Sequence, residues 1–161
     1  MNMQKEEKTN VMRLLDAKKI AHESYFFDCS SAPTGEEVAA ILNKDARQVF
    51  KTLVTAGKSG AHYVFMVPVT GELDLKKAAR AAGEKSVEMI KSKDLLPLTG
   101  YVHGGCSPIG MKKYFPTFID LSAKSLKSIV FSAGRIGRQV ELAPADLEKA
   151  VRITYADLSL N

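Results

Sequence analysis

The sequence predicts a mixed α/β fold, in which helices flank a curved, barrel-like β-sheet. Three observations carry that expectation. Strand-like and helix-like runs are interspersed along the whole chain. Two β-rich runs, 49–56 and 62–69, are separated by Gly57-Lys58-Ser59-Gly60 and one further residue, Ala61, and the glycine-bounded stretch reads as a hairpin turn. Several strands also follow one another with no helix between them, so the regular alternation of a doubly wound sheet is missing.

Taken in order, a first helix is expected over 9–19, where Val11, Leu14 and Leu15 fall at helical spacing. Ser24 to Phe27 reads as a short strand. Thr34 with Glu37 three residues later is a capping box, opening a helix that buries Val38, Ile41 and Leu42. After the hairpin, Asp74 caps a helix with Leu75, Ala78, Ala79 and Ala82 on one face, and Gly83 closes it. Val87 to Ile90 is a short apolar run. Ser92 and Asp94 begin one helical turn before Pro97. Residues 101–110, rich in Gly, Ser and Pro, form a loop of special backbone shape. Strands are expected at 117–121, 128–132 and 139–142, and a last helix over 144–152.

At 161 residues, the chain is read as a single domain spanning 1–161. Hydrophobic residues at 45% and charged residues at 25% are ordinary globular values and exclude disorder and collagen-like repeats. No apolar run approaches the roughly 18–20 residues that cross a bilayer. The opening MNMQKEEKTN has no apolar signal core, so a cytoplasmic protein without membrane contact is expected. Cys29 and Cys106 are too few for a disulfide scaffold and are expected as reduced thiols. The net charge of +5 favours an anionic partner such as nucleic acid or a phosphorylated substrate.

Several catalytic motifs fail. Gly105 to Lys112 resembles a phosphate-binding loop, but Met111 stands where the lysine belongs. Its glycine spacing also misses the nucleophile elbow, and no G-x-G-x-x-G occurs. His22, His62 and His103 are isolated, and His103 with Cys106 lacks a second ligand pair, so no metal is expected. A thiol catalyst built from Cys106 and His103 requires a thiolate held by a base, which proximity in sequence does not supply.

Three features remain. Lys51 lies in Val49-Phe50-Lys51-Thr52-Leu53-Val54, where alternation puts it on the face of Val49 and Leu53. It either snorkels from the sheet rim or aims a cation at a phosphate or a reacting carbonyl. Gly104-Gly105 is either a tight turn or a stretch of main chain that approaches a ligand and turns N–H groups toward it. Ser132-Ala133-Gly134-Arg135-Ile136-Gly137-Arg138 is either a solvated turn or a phosphate contact.

Together, Phe50-Lys51-Thr52-Leu53, the run Gly71 to Lys77 (GELDLKK), Thr99-Gly100-Tyr101, the run Gly104 to Gly110 (GGCSPIG), Lys112-Lys113 and Pro116-Thr117 resemble, in order and spacing, the YbaK-type editing domains. That family includes free-standing bacterial Cys-tRNA(Pro) deacylases, which the GELDLKK and GGCSPIG runs resemble most, and the editing domain inserted in bacterial prolyl-tRNA synthetases. The resemblance implies removal of a wrongly attached amino acid from the 3′ end of tRNA, with no cofactor and no metal. It makes Lys51 the essential lysine and Gly104, with Gly105, the main chain lying against the reacting ester. Tyr25, Thr52 and Ser132, with Gly134 beside them, become substrate-binding residues. Lys76, Lys77, Arg80, Lys112, Lys113, Arg135 and Arg138 become contacts to acceptor-stem phosphates, and prolyl-tRNA synthetase a partner. Two positions depart from the family: Gln139 stands where an aspartate is common, and Thr34 where an aromatic residue is. Deacylation of Ala-tRNA(Pro) or another mischarged tRNA, a non-catalytic RNA- or partner-binding module, and a cysteine hydrolase are the alternatives.

Overall fold

Thr9 starts the first helix by accepting the Met12 N–H on its hydroxyl, and α1 (Asn10–Ala17) then buries Val11, Met12 and Leu15. The structure is a computed structural model and describes residues 8–28 and 32–160; Cys29 lies outside them. After β1 (Glu23–Phe26), both halves of the capping box form, with Glu37 N–H on Thr34 and Thr34 N–H on Glu37, and α2 (Gly35–Leu42) follows. The hairpin β2 (Phe50–Gly57) and β3 (His62–Pro68) pairs from Phe50↔Pro68 to Ala56↔His62. Asp74 takes the Lys76 and Lys77 N–H groups at the start of α3 (Leu75–Ala82). Next come β4 (Val87–Met89), α4 (Ser92–Thr99), β5 (Thr117–Asp120), β6 (Ile129–Arg135), β7 (Arg138–Leu142), α5 (Pro144–Ala150) and β8 (Ile153–Ala156).

The strands form two sheets, ordered β1-β7-β6 and β4-β2-β3-β5-β8, where one curved, barrel-like sheet was expected. Among the described residues one parallel bridge, Val49 to Val130, joins them, and they do not close into a barrel. β3 is the central strand, and its two faces belong to different cores. Met66 joins Phe50, Ile119, Phe131 and Val140 under α1. Phe65 and Val67 join Leu73, Ala78, Ala79 and Leu158 under α3. Burying each large side chain of this kind contributes about 1.5–3 kcal/mol, which fixes the hairpin register.

The split between the sheets leaves part of β2 without a neighbour. β4 pairs only with Thr55, Ala56 and Gly57, while β6 reaches only Val49. Among the described residues, Lys51, Thr52 and Leu53 therefore have a strand partner on the β3 side alone. Val69 N–H bonds to the Val49 carbonyl and Ile90 N–H to the Val54 carbonyl. Because main-chain groups alternate between the two edges of a strand, the N–H and C=O of Thr52 face the open edge.

Two elements differ from the sequence reading. α4 runs eight residues with Pro97 inside it, rather than stopping before the proline. The proline forfeits the N–H bond it would otherwise make to the Lys93 carbonyl, while Thr99 Oγ1 on the Leu95 carbonyl (2.7 Å) and the Gly100 C-cap finish the helix. β8 was not expected at all: it is held by parallel pairing with β5, from Thr117↔Ile153 to Asp120↔Ala156.

Candidate active site

A cavity of about 420 Å³ opens at the unpaired edge of β2. Strand β2 supplies Lys51 and Thr52, the loop after α4 supplies His103, Gly104 and Cys106, and Ser132 and Gln139 come from β6 and β7. Met89 to Ser92, at the β4–α4 junction, close one side, and Pro33 to Gly35 lie at another. Among the described residues, two lysines, Lys51 and Lys91, line this space, and no Asp or Glu does.

Alternation sends Lys51 and Thr52 to opposite faces of β2, and both still reach the cavity because it wraps the open edge. The Lys51 side chain is 29% exposed and its Nζ lies 3.5 Å from Glu72 Oε1, on a glutamate that is 76% exposed. An ion pair so open to water contributes about 0–1 kcal/mol and leaves the ammonium available. Thr52 Oγ1 is buried with no hydrogen-bond partner. Gln139 is 6% exposed, and among the described residues its side-chain amide has no hydrogen-bond partner either. Buried polar groups without partners cost roughly 1–3 kcal/mol each. Thr52 Oγ1 carries that cost at the cavity wall, whereas the Gln139 amide opens into the cavity.

The glycine loop divides in two. Gly104 lines the cavity with φ +86°, and a Cβ there would sit 2.9 Å from that of Ala32. Gly105 does not line it: it is buried against the main chain of Arg135 and Ile136, and its N–H already binds the Val102 carbonyl at 2.9 Å. Gly105 is thus a packing residue rather than an oxyanion donor. The Thr99-Gly100-Tyr101 motif builds the platform beneath the loop. Tyr101 N–H binds Thr99 Oγ1 at 3.0 Å, and the Tyr101 hydroxyl donates to the Ile109 carbonyl.

Other expected site residues lie elsewhere, each for a physical reason. Gly134 does not contact the cavity; its φ of +101° and missing side chain admit the Tyr101 ring, 3.0 Å from where a Cβ would stand. Tyr25 stands opposite Gln139 on the same sheet face but does not line the cavity, because its hydroxyl donates to Glu141 Oε1 at 2.5 Å. Glu141 also accepts from Ser128 Oγ (2.5 Å) and Gln48 Nε2 (3.3 Å) and pairs with Lys44 (2.9 Å). Burial would raise the Glu141 carboxyl, but Ser128, Tyr25 and Lys44 outweigh it and hold it below its ordinary value. Burial, then Glu141, pushes the Tyr25 phenol up. Ser132 does line the cavity, and its Oγ accepts the Gly134 N–H at 3.1 Å.

The basic residues also divide. Lys76, Arg80, Lys112, Lys113 and Arg135 are exposed. Lys77 is not free for phosphate: its Nζ holds Asp157 at 3.1 Å and the Ser159 carbonyl at 2.8 Å. Arg138 is buried, with its guanidinium 5.2 Å from the Phe26 ring centroid and a bond to the Gly137 carbonyl. It belongs to the fold and not to an outer phosphate contact. The sequence reading missed Lys91, Ser92 and Met89, which reach the cavity only because β4 ends at its rim. Burial pushes the Cys106 thiol up to about 12, far from a thiolate. No three His, Cys, Asp or Glu side chains cluster as a metal site among the described residues. Among them, no helix is long and apolar enough to cross a membrane.

A mixed α/β protein that sets an accessible ammonium and a bare glycine main chain into one cavity, with no carboxylate there among the described residues, has the site of a protein acting on an already activated or anionic ligand. The pattern of the aminoacyl-tRNA editing domain matches residues 29–150, and the chain belongs to that family. It is 43% identical over 155 residues to a protein of Enterococcus faecalis provisionally named Cys-tRNA(Pro)/Cys-tRNA(Cys) deacylase EbsC, covering 96% of this chain and 94% of that one. It is 31% identical over 97 residues to a proline–tRNA ligase of Thermosipho africanus, covering 60% of this chain and 17% of the ligase. A crystal structure provisionally assigned as a trans-editing enzyme for prolyl-tRNA synthetase shares the fold, with a TM-score of 0.82 at 23% identity, 95% of this chain and 99% of that chain being covered.

Proposed function

We propose that this protein is a trans-editing aminoacyl-tRNA deacylase that removes cysteine from mischarged Cys-tRNA(Pro), and from Cys-tRNA(Cys), in the cytoplasm. The observation that carries this reading is the meeting of Lys51 and Gly104 in one cavity at the unpaired edge of β2. An aminoacyl ester is a labile bond, so placement of the ester and donors for its carbonyl oxygen do most of what is needed. Gly104 brings main chain against the carbonyl, while the Lys51 ammonium orients the terminal phosphate or the ester oxygen. The substrate's own thiol attacks: sulfur bonds to the carbonyl carbon, the bond from that carbon to the ribose oxygen breaks, and the thiol proton ends on the ribose hydroxyl. The products are a cyclic cysteine thiolactone and uncharged tRNA.

The similarity to the EbsC-named protein supports the substrate, and the partial match to a proline–tRNA ligase supports prolyl-tRNA synthetase as a partner. Small side chains offer only about 1–3 kcal/mol of discrimination in a pocket. A reaction that recruits the substrate thiol escapes that limit. The test is deacylation of Cys-, Ala-, Ser- and Pro-charged tRNA, with the thiolactone trapped and identified. Rapid cleavage of the Cys ester with thiolactone release is expected. Preferential cleavage of Ala-tRNA(Pro) would assign the site to a different substrate, and survival of all four esters would remove the enzyme reading.

A further inference from the structure

The cavity at β2 has a neighbour. Met89, Ile90 and Lys91, which wall it at the β4–α4 junction, also wall a second hollow of about 630 Å³. That hollow is completed by His62, Glu88, Lys93, Asp94, Pro97 and Leu98. Its composition is unlike that of the first. Met89, 45% exposed, gives it an apolar wall with Pro97 and Leu98, and His62 adds an aromatic ring tilted against Phe115. Four charged side chains, Glu88, Lys91, Lys93 and Asp94, surround these surfaces. Among the described residues none of the four forms an ion pair.

We propose that this second hollow binds the nucleotide that precedes the terminal adenosine of the tRNA, a cytidine. The proposal rests on the reading of the first cavity as the aminoacyl-adenosine site. A substrate seated there continues through its 5′ phosphate into a second nucleotide, and the ridge Met89-Ile90-Lys91 is common to both spaces. Lys91 and Lys93 neutralise the linking phosphate. The base lies on Met89, Pro97 and Leu98; base contacts of this kind are worth about 1–3 kcal/mol each. Glu88 and Asp94 accept from an exocyclic amino group, which cytosine carries and uracil lacks. Ligands without an aminoacyl group thus bind in the order CpA, UpA, adenosine.

The test is calorimetric titration of the full chain with adenosine, UpA and CpA, none of which is hydrolysed. CpA is expected to bind about tenfold more tightly than adenosine. In Lys93→Ala this advantage falls several-fold, and the binding of CpA becomes less sensitive to salt, as loss of one screened charge pair requires. A double variant, Glu88→Gln with Asp94→Asn, is expected to erase the preference for CpA over UpA. Equal affinities for CpA and adenosine, or a Lys93→Ala protein that binds CpA like the wild type, would overturn the proposal. All three side chains are exposed, and thermal melts verify that the variants fold. The two readings fail separately. Esters cleaved without any CpA advantage leave the deacylase standing and remove this subsite. A CpA advantage lost in Lys93→Ala, with no ester cleaved, does the reverse.

Discussion

Gln139 and Glu141 stand two residues apart on β7, point to the same side of the strand, and live in opposite circumstances. Glu141 is saturated: Tyr25, Gln48 and Ser128 donate to it and Lys44 pairs with it. Gln139 has no side-chain partner among the described residues, although it is 6% exposed, and beyond it lies the cavity with the equally unpartnered Thr52 hydroxyl. A saturated cluster ties elements together, here β1, β7, the start of β6 and the segment after α2. At the cavity, the Thr52 hydroxyl is left buried without a partner and the Gln139 amide is left free to meet a ligand. The site is recognisable less by which polar residues it holds than by how few of their bonds are made.

The largest effect is expected where the unsaturated cluster carries charge. Lys51→Ala should lower kcat/KM for Cys-tRNA(Pro) by about 100- to 1,000-fold, the range for loss of one preorganised electrostatic contact. Its melting temperature should barely move, since the pair with exposed Glu72 is worth about 0–1 kcal/mol. Wild-type turnover by the variant would dissolve the contrast between the clusters.

Glu141→Ala should do the opposite, lowering unfolding free energy by about 2–3 kcal/mol while the folded enzyme keeps its kcat, as read by urea denaturation beside single-turnover assays. The pH dependence has a definite sign. The Glu141 carboxyl titrates below its ordinary 4.5 in the folded state. Its contribution is therefore complete above that value and is lost as pH falls through the lowered folded one. The stability gap between wild type and variant should be constant near neutrality and close in acid. A gap that widened in acid would mean that the network does not hold the charged form.

Gln139→Leu sharpens the comparison at smaller scale. Removing an unsatisfied amide should leave stability within about 1 kcal/mol of wild type or slightly above it, whereas kcat/KM should fall about 5- to 10-fold, one lost hydrogen bond to substrate. A large loss of stability would show that the amide serves the fold after all.

Much of this was legible in the sequence because it depends on local chemistry. Thr34 and Glu37 formed their capping box, Gly57 to Gly60 turned the hairpin, and Lys51 fell on the face that alternation assigned to it. What was illegible depends on partners distant in the chain. Arg138 reads as a loop cation until Phe26 is found beneath it, and Lys77 as a phosphate contact until Asp157 takes it. Gly104 and Gly105 look equivalent until Val102 claims the N–H of one. The role of Lys91 follows from where β4 stops pairing with β2, which no local pattern encodes. Tyr25 was assigned to the pocket by resemblance, and only Glu141, 116 residues away, shows it engaged elsewhere.

The smallest effect is expected at Cys106, which lies in the cavity yet belongs to neither cluster. Its sulfur is buried among Val54, Val64, Leu95 and Phe115, and that burial lifts the thiol to about 12. At pH 7 the sulfur is therefore held as the thiol and not as the thiolate that nucleophilic attack requires. Attack by this sulfur would also compete with the substrate's own thiol, which faces no such desolvation. Cys106→Ala should therefore retain kcat/KM within about threefold and destabilise by about 1 kcal/mol, the cost of a small gap in an apolar wall. Iodoacetamide should label the native sulfur far more slowly than it labels free cysteine. Loss of deacylation in this variant, with Lys51→Ala active, would move the chemistry from the open edge of β2 to the enzyme's own thiol.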